Sequence, residues 1–516
     1  MRATWLAILL AVFMSGCNES TPTAVAPPYQ GVTLSVGALG DAGILEAVRV
    51  QVPEWSSRTG AEIVVEPANA GGSAPSTADI LVFSGDRLGA LVDEGALAQI
   101  PESVVRPVEF DAAGEPAGDD KGDDSLALHR ARDPLDFNDV AQSYRELVSK
   151  YGDTRFALPL GGTALVLVRR RDAFHSEPIR GAAESAGVSL KPPETWDEFD
   201  AQARFMNKRD WNGDGKDDHG IAFAVAKDAD RLLESIYLAR AGALGQPPDQ
   251  FALLFNAETM AGQLESPPFL EALDQTAALK ACGPPGMTSF DGAAARAAFR
   301  TGQVAMLIDR AERAAAWSDP QIPFAVEVCP LPASPRVFDP ARQTWITPSL
   351  PNRVAYLPSG GGWLVGVSPK LQGRALEAAW SFAQMLASPE TSQAIVSDPA
   401  FPMTPVRLSH LALGLPNPSA AQQVDSRAWG LAVDESFNAT RVIVGLRIPG
   451  VNEYLDELGT ALRAAIAGEL EPKDALARAN AAWNARSKSL GIARQLWHYR
   501  RSLNRLSTTN VPPPKS

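Results

Sequence analysis

The feature that most constrains the fold is an alternation of short apolar runs and helical stripes in the first third of the chain. Each run is rich in β-branched or aliphatic residues and predicts a strand; the runs are 32–36, 63–65, 80–83 and 164–168. Between the first two runs, apolar side chains recur at helical spacing before a helix stop at Thr59-Gly60, namely at Leu45, Val48, Val52 and Trp55. This alternation favours an α/β fold built around a sheet.

The rest of the chain predicts further helices with clear ends. Residues 193–206 predict a capped helix that opens at Thr195. Three later sets of apolar residues recur at helical spacing, and each predicts one apolar helix face. They are Leu376, Ala379, Trp380, Ala383 and Leu386; Leu455, Leu458, Leu462 and Ile466, ended by Gly468; and Leu476, Ala479 and Trp483, after Pro472. The length of 516 residues allows two to four domains or one large two-lobed body.

The first 17 residues predict export from the cytoplasm. Arg2 precedes an apolar run at 5–13, which is too short to span a hydrocarbon core of about 30 Å as a stable helix. Small residues then lead into Cys17, so residues 1–16 predict a secretory signal. The segment resembles the lipobox of bacterial lipoproteins, which implies acylation of Cys17 and a lipid-anchored protein of the periplasm or cell envelope. The alternative is an ordinary signal with an incidental cysteine; residues 17–30, polar and proline-bearing, are the expected tether.

The charge of the chain argues against nucleic acid as a partner. The formal net charge of −13 becomes −14 once residues 1–16, whose only charged residue is Arg2, are removed. Phosphate binding needs a basic face, which this balance does not predict. An acidic chain does not bind anionic lipid electrostatically, so its attachment to the membrane would be covalent.

Cys282 and Cys329 are the only other cysteines if Cys17 carries lipid. Because the export route permits disulfides, a bond between them is predicted. The alternative is two separate buried thiols.

Two segments interrupt or follow the regular pattern. Residues 109–124 hold seven carboxylates with Gly and Pro, and predict a solvated insertion; an acidic functional site is the alternative. Residues 491–516 are arginine-bearing with a proline-rich end, and predict a C-terminal extension made of a short surface helix and a frayed tail.

Five stretches, each weak alone, occur together in a fixed order. They are ADILVFSGDRLGAL at 78–91 with EGAL at 94–97, ALPLGGT at 157–163 with RDAF at 171–174, FRTGQVAM at 299–306, GGGW at 360–363, and GE at 468–469 followed by Pro472, Ala475-Leu476 and Trp483. Over about residues 31–490 the chain thereby resembles the extracellular solute-binding proteins that feed ABC importers, the family that includes maltose-binding proteins.

The resemblance implies an α/β, two-lobe periplasmic-binding-protein fold, type II-like, with hinge-crossing strands and a ligand cleft between the lobes. It places lobe 1 in residues 31–162 plus 361–400 and lobe 2 in residues 163–360 plus 401–490. Glycines at 161–162 and 360–362 suit positions where the backbone bends or approaches a ligand closely.

The resemblance also implies ligand contacts on lobe 1. Asp86 and Arg87 align with an acid and a base that bind sugar hydroxyls in maltose-type members, since a carboxylate accepts and a guanidinium donates. Phe83 falls where the family often has a stacking aromatic, with a buried strand end as the alternative. Thr163 stands where maltose binders carry an acid, so the same sugar is not implied. Asp41, in a turn after the first strand, is a further candidate contact.

The remaining candidate contacts are Asp309, Glu312, Gly361, Gly362, Trp363 and Tyr454. Asp309 and Glu312 follow the strand after which the family places contacts from the second lobe. Trp363, at the return crossing, would stack on a sugar face or fill the hinge region. Tyr454 lies near the family's second-lobe aromatic.

Residues 210–218 fit the first nine positions of an EF-hand-type calcium loop. The candidate ligands are Asp210, Asn212, Asp214, Lys216 through its carbonyl, and Asp218. Position 12 lacks the bidentate glutamate, so the affinity would be modest. Members of the family often carry such a loop, which implies a structural Ca²⁺; an ion-free polar turn is the alternative.

The sequence contains no HExxH, GxSxG or GxxxxGK[ST] motif, and its five histidines are scattered. A glycosidase that uses a pair of carboxylates has no sequence signature. Nothing in this sequence indicates two carboxylates held in different environments, as an acid and a base would need, so no catalysis is expected. The resemblance implies capture of a small polar solute, a sugar or an oligosaccharide, by hinge closure and its delivery to ABC permease subunits. The alternative is a receptor-like or scaffold lipoprotein that keeps the fold without transport.

Overall fold

The structure is a computed structural model that describes residues 27–41, 43–66, 77–105, 135–247, 251–318 and 324–504. The signal residues 1–16, Cys17 and the acidic segment 109–124 lie outside the described residues, so what was predicted for them stays a prediction. Within the described part of the chain, no helix combines the length and the apolar character needed to cross a membrane.

The strands, in chain order, are β1 (Thr33–Leu39), β2 (Glu62–Val65), β3 (Ile80–Ser84), β4 (Lys150–Tyr151), β5 (Thr154–Arg155), β6 (Leu158–Gly162), β7 (Leu165–Arg170), β8 (His219–Ala222), β9 (Val304–Arg310), β10 (Val326–Pro330), β11 (Val337–Asp339), β12 (Thr344–Ile346), β13 (Ala355–Leu357), β14 (Gly362–Val367) and β15 (Val442–Val444).

The α-helices are α1 (Ile44–Thr59), α2 (Leu88–Glu94), α3 (Glu102–Val105), α4 (Arg171–His175), α5 (Glu177–Ala186), α6 (Trp196–Met206), α7 (Leu232–Gly245), α8 (Pro267–Ala278), α9 (Gly292–Arg300), α10 (Gly373–Ala387), α11 (Pro389–Val396), α12 (Leu408–Leu413), α13 (Ser426–Phe437), α14 (Val451–Ala467), α15 (Pro472–Ser489) and α16 (Ile492–Ser502).

Lobe 1 is built on a five-stranded sheet in the order β2-β1-β3-β14-β6. β1 is parallel to β2 and β3, whereas β14 is antiparallel to both β3 and β6. The carboxyl ends of β1, β3 and β6 therefore lie at the same edge of the sheet as the amino end of β14. The central strand β3 is buried from Ile80 to Phe83, as expected for a strand covered on both faces.

Lobe 2 is built on a four-stranded sheet in the order β10-β7-β9-β8. β8 is parallel to β9, and β7 is antiparallel to β9 and β10. The carboxyl ends of β8 and β9 thus lie at the edge where β7 begins, with Leu165 opposite Arg310. Only residues 163 and 164 separate β6 from β7. The edge of the lobe 1 sheet at which β6 ends therefore lies next to the edge of the lobe 2 sheet at which β7 begins.

Two further segments pass between the lobes. Residues 358–361 connect β13 to β14, and the chain after α11 returns past Thr404, which bridges to Gly162, before α13 packs against β10. The strands of the lobe 1 sheet lie in the residues assigned to lobe 1 by sequence, but the individual lobe boundaries stay a prediction.

Each lobe encloses apolar side chains. One cluster covers the lobe 1 sheet and continues onto one face of the lobe 2 sheet through Phe299, Phe324 and Trp429. The other fills lobe 2 around Phe255 and Trp483. The α/β two-lobe architecture expected from the sequence is confirmed.

Two helix ends lie where the sequence placed them. Gly60 follows α1 with a φ of 74°, and its N–H donates to the Ser56 carbonyl at 2.8 Å. At α6, the Thr195 hydroxyl accepts the Glu198 N–H and the Glu198 carboxylate accepts the Thr195 N–H, both at 3.3 Å. Such a capping box satisfies two otherwise unpaired N–H groups and contributes about 1 kcal/mol.

The disulfide prediction is wrong, because Cys282 and Cys329 are both free and buried. Cys282 ends a 3₁₀ turn that follows α8, whereas Cys329 lies in β10. Burial raises the pKa of the Cys329 thiol to about 12. Both residues therefore act as small apolar core groups.

The prediction of a C-terminal surface helix is also wrong. α16 is packed into the molecule: His498 is fully buried and Arg494 and Arg501 are less than a tenth exposed. The charged side chains tolerate burial because each has polar partners, which are described below. Residues 505–516 lie outside the described part of the chain.

Candidate functional site

The edge of the lobe 1 sheet brings together four of the predicted contacts. Asp41 follows β1, Asp86 and Arg87 follow β3, and Trp363 is the second residue of β14. Neighbouring strand ends are close in space, and Trp363 pairs with Ser84 at the end of β3. These side chains therefore border the gap between the lobes; we call Asp41, Asp86, Arg87 and Trp363 the lobe 1 rim.

Trp363 lies half-buried on this rim. Its ring centroid is 5.3 Å from that of Phe401, with an interplanar angle of 70°. A Cβ atom on Gly40 would lie 3.1 Å from the Trp363 ring, and Gly40 has a φ of 124°, so only glycine suits this close approach. Trp363 thus both packs at the hinge and keeps part of its indole accessible for stacking.

Asp86 lies in a 3₁₀ turn, Gly85–Arg87, that packs against the 358–361 crossing. A Cβ atom on Gly85 would lie 2.3 Å from the Gly360 carbonyl oxygen. Asp86 Oδ1 is buried and has no hydrogen-bond partner within the described residues. It borders a cavity of about 20 Å³ between the lobes, also lined by Asp230 and Tyr356, which has room for about one water molecule. Asp86 is therefore the rim group most in need of a hydrogen-bond donor.

The opposite edge, on lobe 2, carries paired charges; we call Asp230, Arg310, Glu312 and Arg313 the lobe 2 rim. Arg313 Nη2 lies 3.0 Å from Asp230 Oδ1, and Arg310 Nη1 lies 3.8 Å from the same oxygen. Burial alone would raise the pKa of Asp230, but Arg310 and Arg313 outweigh it and hold the pKa below its ordinary value. Arg310 also donates to Ser359 Oγ at 2.9 Å, so this rim is tied to a crossing segment.

Glu312 binds the other two crossings. Its carboxylate accepts the Thr163 hydroxyl at 2.7 Å and the Thr404 hydroxyl at 3.0 Å. Burial raises the pKa of Glu312, and Arg310, at 3.8 Å, opposes that rise. Thr163 is 2% exposed, so the predicted ligand contacts Thr163 and Glu312 in fact satisfy each other at the hinge.

Two aromatic predictions are wrong. Phe83 is fully buried in the lobe 1 core, because β3 is covered on both faces. Tyr454 is fully buried in lobe 2, where its hydroxyl lies 2.9 Å from Ser487 Oγ and its ring packs against Phe255 and Trp483. Neither ring can stack on a molecule held between the lobes.

The prediction for Asp309 is also wrong. Its carboxylate is 1% exposed and accepts from Arg296 Nη1 at 3.0 Å and from Trp317 Nε1 at 2.8 Å. Burial raises the pKa of Asp309, although the positive charge of Arg296 acts to lower it. The group belongs to the interior of lobe 2 and supports β9.

Gly361 and Gly362 pack against protein atoms, which corrects their assignment as ligand contacts. Their φ angles are 98° and 118°. A Cβ atom would lie 2.6 Å from the Val148 side chain at Gly361 and 2.4 Å from the Gly161 carbonyl oxygen at Gly362. The glycines therefore let the crossing backbone turn and pack closely.

The sequence analysis missed Asp230, Arg310, Arg313 and Ser359. Asp230 comes after β8, and Arg310 ends β9, so both lie where the carboxyl ends of parallel strands meet. That edge is where α/β sheets place their ligand-binding residues. The pairing of β8 with β9 was the missing information, because it joins segments more than 80 residues apart.

The loop at 210–218 is folded through its own side chains. Asp210 accepts the N–H groups of Gly213 and Gly215 at 2.7 and 2.9 Å. Asp218 accepts from Trp211 N–H and from the Asn212 side chain, and burial with nearby carboxylates raises its pKa to about 6. Within the described residues, no three His, Cys, Asp or Glu side chains converge closely enough to hold a metal ion. The Ca²⁺ predicted for this loop stays a prediction.

A family comparison covers most of the chain. The sequence model of the bacterial extracellular solute-binding proteins matches residues 48–422. No curated protein matches the chain.

Solved structures share the fold at low sequence identity. An ABC transporter solute-binding protein from Agrobacterium radiobacter K84, in complex with ribitol, superposes with a TM-score of 0.58 at 20% identity, covering 89% of this chain and 99% of that one. The sugar-binding protein MalE from Xanthomonas citri gives a TM-score of 0.61 at 15% identity, covering 89% and 98%. A solute-binding protein from Thermotoga lettingae TMO, bound to α-D-tagatose, gives 0.55 at 17% identity, covering 88% and 99%.

Proposed function

Because the chain belongs to the bacterial extracellular solute-binding proteins, we propose that it captures a sugar, an oligosaccharide or a related polyol between its lobes. It then delivers this solute to the membrane subunits of an ABC importer. The neighbours solved with ribitol and with α-D-tagatose support this class of ligand.

The observation that carries the proposal is the lobe 1 rim. Asp86 offers a buried carboxylate oxygen without a partner in the described residues, and Arg87 follows it in the same 3₁₀ turn. Adjacent hydroxyls of a polyol can donate to the first and accept from the second. Trp363 adds an aromatic surface at the same edge, and such rings pack against the apolar face of a sugar.

Capture follows a shift between two arrangements of the lobes. The solute binds the lobe 1 rim first and adds contacts with lobe 2 only when the lobes approach each other. Contacts made with both lobes stabilise the closed arrangement by the difference in affinity between the two arrangements. No catalytic step is part of this proposal.

Thermal unfolding with a ligand panel tests the proposal. The panel contains ribitol, tagatose, maltose and maltotriose, and binding at a hundredfold excess over Kd should stabilise the fold by about 2.7 kcal/mol. Asp86→Asn should abolish the response while the variant melts like the wild type. Unchanged melting with every sugar and polyol tested, together with unchanged tryptophan fluorescence, would contradict the proposal.

The envelope location and the lipid anchor at Cys17 are further parts of the proposal. They are supported by the apolar run and the small residues before Cys17. Incorporation of labelled palmitate that is lost in Cys17→Ser would support the anchor, and equal incorporation would exclude it. A receptor-like or scaffold role would be favoured instead if cells lacking the protein took up the identified solute normally.

A structural Ca²⁺ at 210–218 stays a prediction. The residue types suit calcium, but binding would require the loop to rearrange, because Asp218 is already bound by protein donors. Calorimetric titration of the protein with CaCl₂ decides the matter, since an ion-free turn gives no heat of binding.

A further inference from the structure

The last described helix, α16, contacts both lobes. Arg494, His498 and Arg501 are spaced by four and three residues and so share one face of the helix. Tyr499 lies on a different face, turned toward lobe 2. Trp497 belongs to the apolar cluster that covers lobe 1, whereas Tyr499 belongs to the cluster of lobe 2.

The first face of α16 binds lobe 1 through buried polar contacts. Asp93, in α2, accepts from Arg494 and from His498 Nε2, the latter at 2.8 Å. On the other side of the imidazole, the Tyr151 hydroxyl lies 3.0 Å from His498 Nδ1 and donates to the His498 carbonyl at 3.0 Å. Arg501 donates to the Tyr151 carbonyl at 2.9 Å.

Backbone groups of lobe 1 also contact α16 and the residues just after it. The Gly152 N–H donates to the Arg501 carbonyl at 2.7 Å, and the Asn504 side chain donates to the Glu146 carbonyl at 2.9 Å. A Cβ atom on Gly152 would lie 2.9 Å from the Arg501 guanidinium. The turn between β4 and β5 thus fits closely against the helix.

The other contacts of α16 are made with lobe 2. The Tyr499 hydroxyl accepts three consecutive N–H groups, of residues 253, 254 and 255, each at 3.2 Å. Its ring packs on Phe255, with the centroids 5.3 Å apart, and Arg500 Nε donates to the Ala257 carbonyl at 2.6 Å. α15, which precedes α16 directly, also packs in lobe 2, so the chain enters α16 from lobe 2.

Arg447 reinforces this connection from lobe 2. It follows β15, is 1% exposed, and donates from Nη1 to the carbonyls of Val148 and Lys150 in lobe 1 at 3.0 and 3.2 Å. Its Nη2 donates to the Ser502 carbonyl at the end of α16, at 2.7 Å. A Cβ atom on Gly89 would lie 1.9 Å from the Arg447 carbonyl oxygen, so lobe 1 and lobe 2 are in contact here.

We propose that α16 is an interlobe clasp: it is fixed to lobe 2, and its contacts with Asp93 and the β4–β5 turn set the angle between the lobes. Rotation about the crossing segments requires these contacts to break or slide. Breaking them would leave buried charged groups without partners, so the clasp resists a change of angle. The clasp sets the resting geometry of the molecule, whichever solute the cleft holds.

A distance measurement between the lobes tests the clasp without any ligand. Spin labels at Val50→Cys on lobe 1 and Leu350→Cys on lobe 2 occupy positions that are 72% and 77% exposed. The full chain carries Cys17→Ser, and the buried Cys282 and Cys329 are not accessible to the label. Pulsed electron spin resonance then reports the distribution of interlobe distances.

Each of two variants removes part of the contact between α16 and lobe 1. Asp93→Asn removes the charge that binds Arg494 and His498, and Tyr151→Phe removes a single hydroxyl and keeps the ring. Both should replace the single narrow distribution of the wild type by a broader or shifted one. The matched control, Arg478→Ala, changes an exposed arginine of α15 in lobe 2 that makes none of the clasp contacts, and it should keep the wild-type distribution.

Interlobe distances are compared only for variants that have the circular dichroism spectrum of the wild type and unfold cooperatively. If Asp93→Asn does not fold, Tyr151→Phe alone decides. A folded Tyr151→Phe with the wild-type distribution would overturn the proposal, because α16 would then be static packing with no effect on the lobe angle. The same loss of the narrow distribution in Arg478→Ala would also overturn it.

Discussion

The two rims that face each other across the interlobe gap differ in how their charges are satisfied. On the lobe 1 rim, Asp86 Oδ1 has no partner among the described residues. On the lobe 2 rim, Asp230 is bound by two arginines and Glu312 by two hydroxyls and Arg310. The lobe 1 rim therefore has a carboxylate oxygen still to be bound, whereas the carboxylates of the lobe 2 rim already have partners. Within the described residues, the lobe 2 rim instead leaves two buried donors, Arg310 Nε and Arg313 Nε, without a partner.

This difference assigns the rims different tasks. A solute gains most from the lobe 1 rim, because pairing an unsatisfied buried oxygen removes a desolvation penalty. The carboxylates of the lobe 2 rim gain little from new donors unless an existing pair opens, and the connections of this rim to Ser359, Thr163 and Thr404 make it the mechanical part of the hinge. Binding and hinge stability should therefore respond to different substitutions.

The largest expected effect is on stability, at the lobe 2 rim. Glu312→Ala removes the acceptor of two buried hydroxyls and a partner of Arg310. We expect the free energy of unfolding to fall by about 2–3 kcal/mol, as for buried donors left without acceptors. Calorimetric or urea-induced unfolding of the purified protein measures this change.

Asp86→Asn is the matched control on the lobe 1 rim. No protein hydrogen bond of Asp86 Oδ1 is lost, so the free energy of unfolding should stay within about 0.5 kcal/mol of the wild type. Equal destabilisation by the two substitutions would show that the rims do not differ in the way described.

The second effect is on affinity and separates two aromatic residues. Trp363→Ala should weaken the best ligand of the panel about tenfold, which equals about 1.4 kcal/mol, because a partly exposed ring at the rim is lost. Phe83→Leu should leave the affinity unchanged and lower only the stability, since Phe83 is fully buried. Calorimetric titration gives both dissociation constants. Weaker binding in Phe83→Leu with normal binding in Trp363→Ala would reverse our assignment.

The sequence predicted the fold better than the site, and the two aromatics show why. The strand at 80–84 and the cap at Thr195 are local features, so spacing and residue type were enough to find them. Whether Phe83 points into a core depends on which elements cover both faces of β3, and that is a property of the tertiary fold. All four residues of the lobe 1 rim were predicted as contacts because strand ends carry them, but the partners of Asp309 and Glu312 come from segments that no local pattern links to them.

The C-terminal helix was mispredicted for a related reason. A segment with several arginines and a histidine predicts a solvated surface, because charged side chains are rarely buried unless they are paired. The partners of Arg494 and His498 lie about 400 residues earlier, at Asp93. No pattern within α16 reveals an acceptor that far away along the chain.

The smallest effect is a difference in pH dependence between the wild type and Glu312→Gln. Burial raises the pKa of Glu312 above its ordinary value of 4.5, so the folded protein binds the proton more tightly than the unfolded chain. Stability from this group is therefore fully present below pH 4.5 and is lost as the pH rises through the raised, folded-state pKa. The amide of Gln cannot titrate and keeps an acceptor for Thr163, so the variant should lose less stability over that range.

The comparison between the two curves isolates Glu312 from the other carboxyl groups. Asp230, whose pKa is lowered, gives the opposite trend, since its contribution is lost as the pH falls below its ordinary value. Because Asp230 is present in both proteins, its effect cancels in the difference between their free energies of unfolding, measured by urea titration from pH 4 to pH 8. Parallel curves would mean that Glu312 is not held in a site that disfavours its charge.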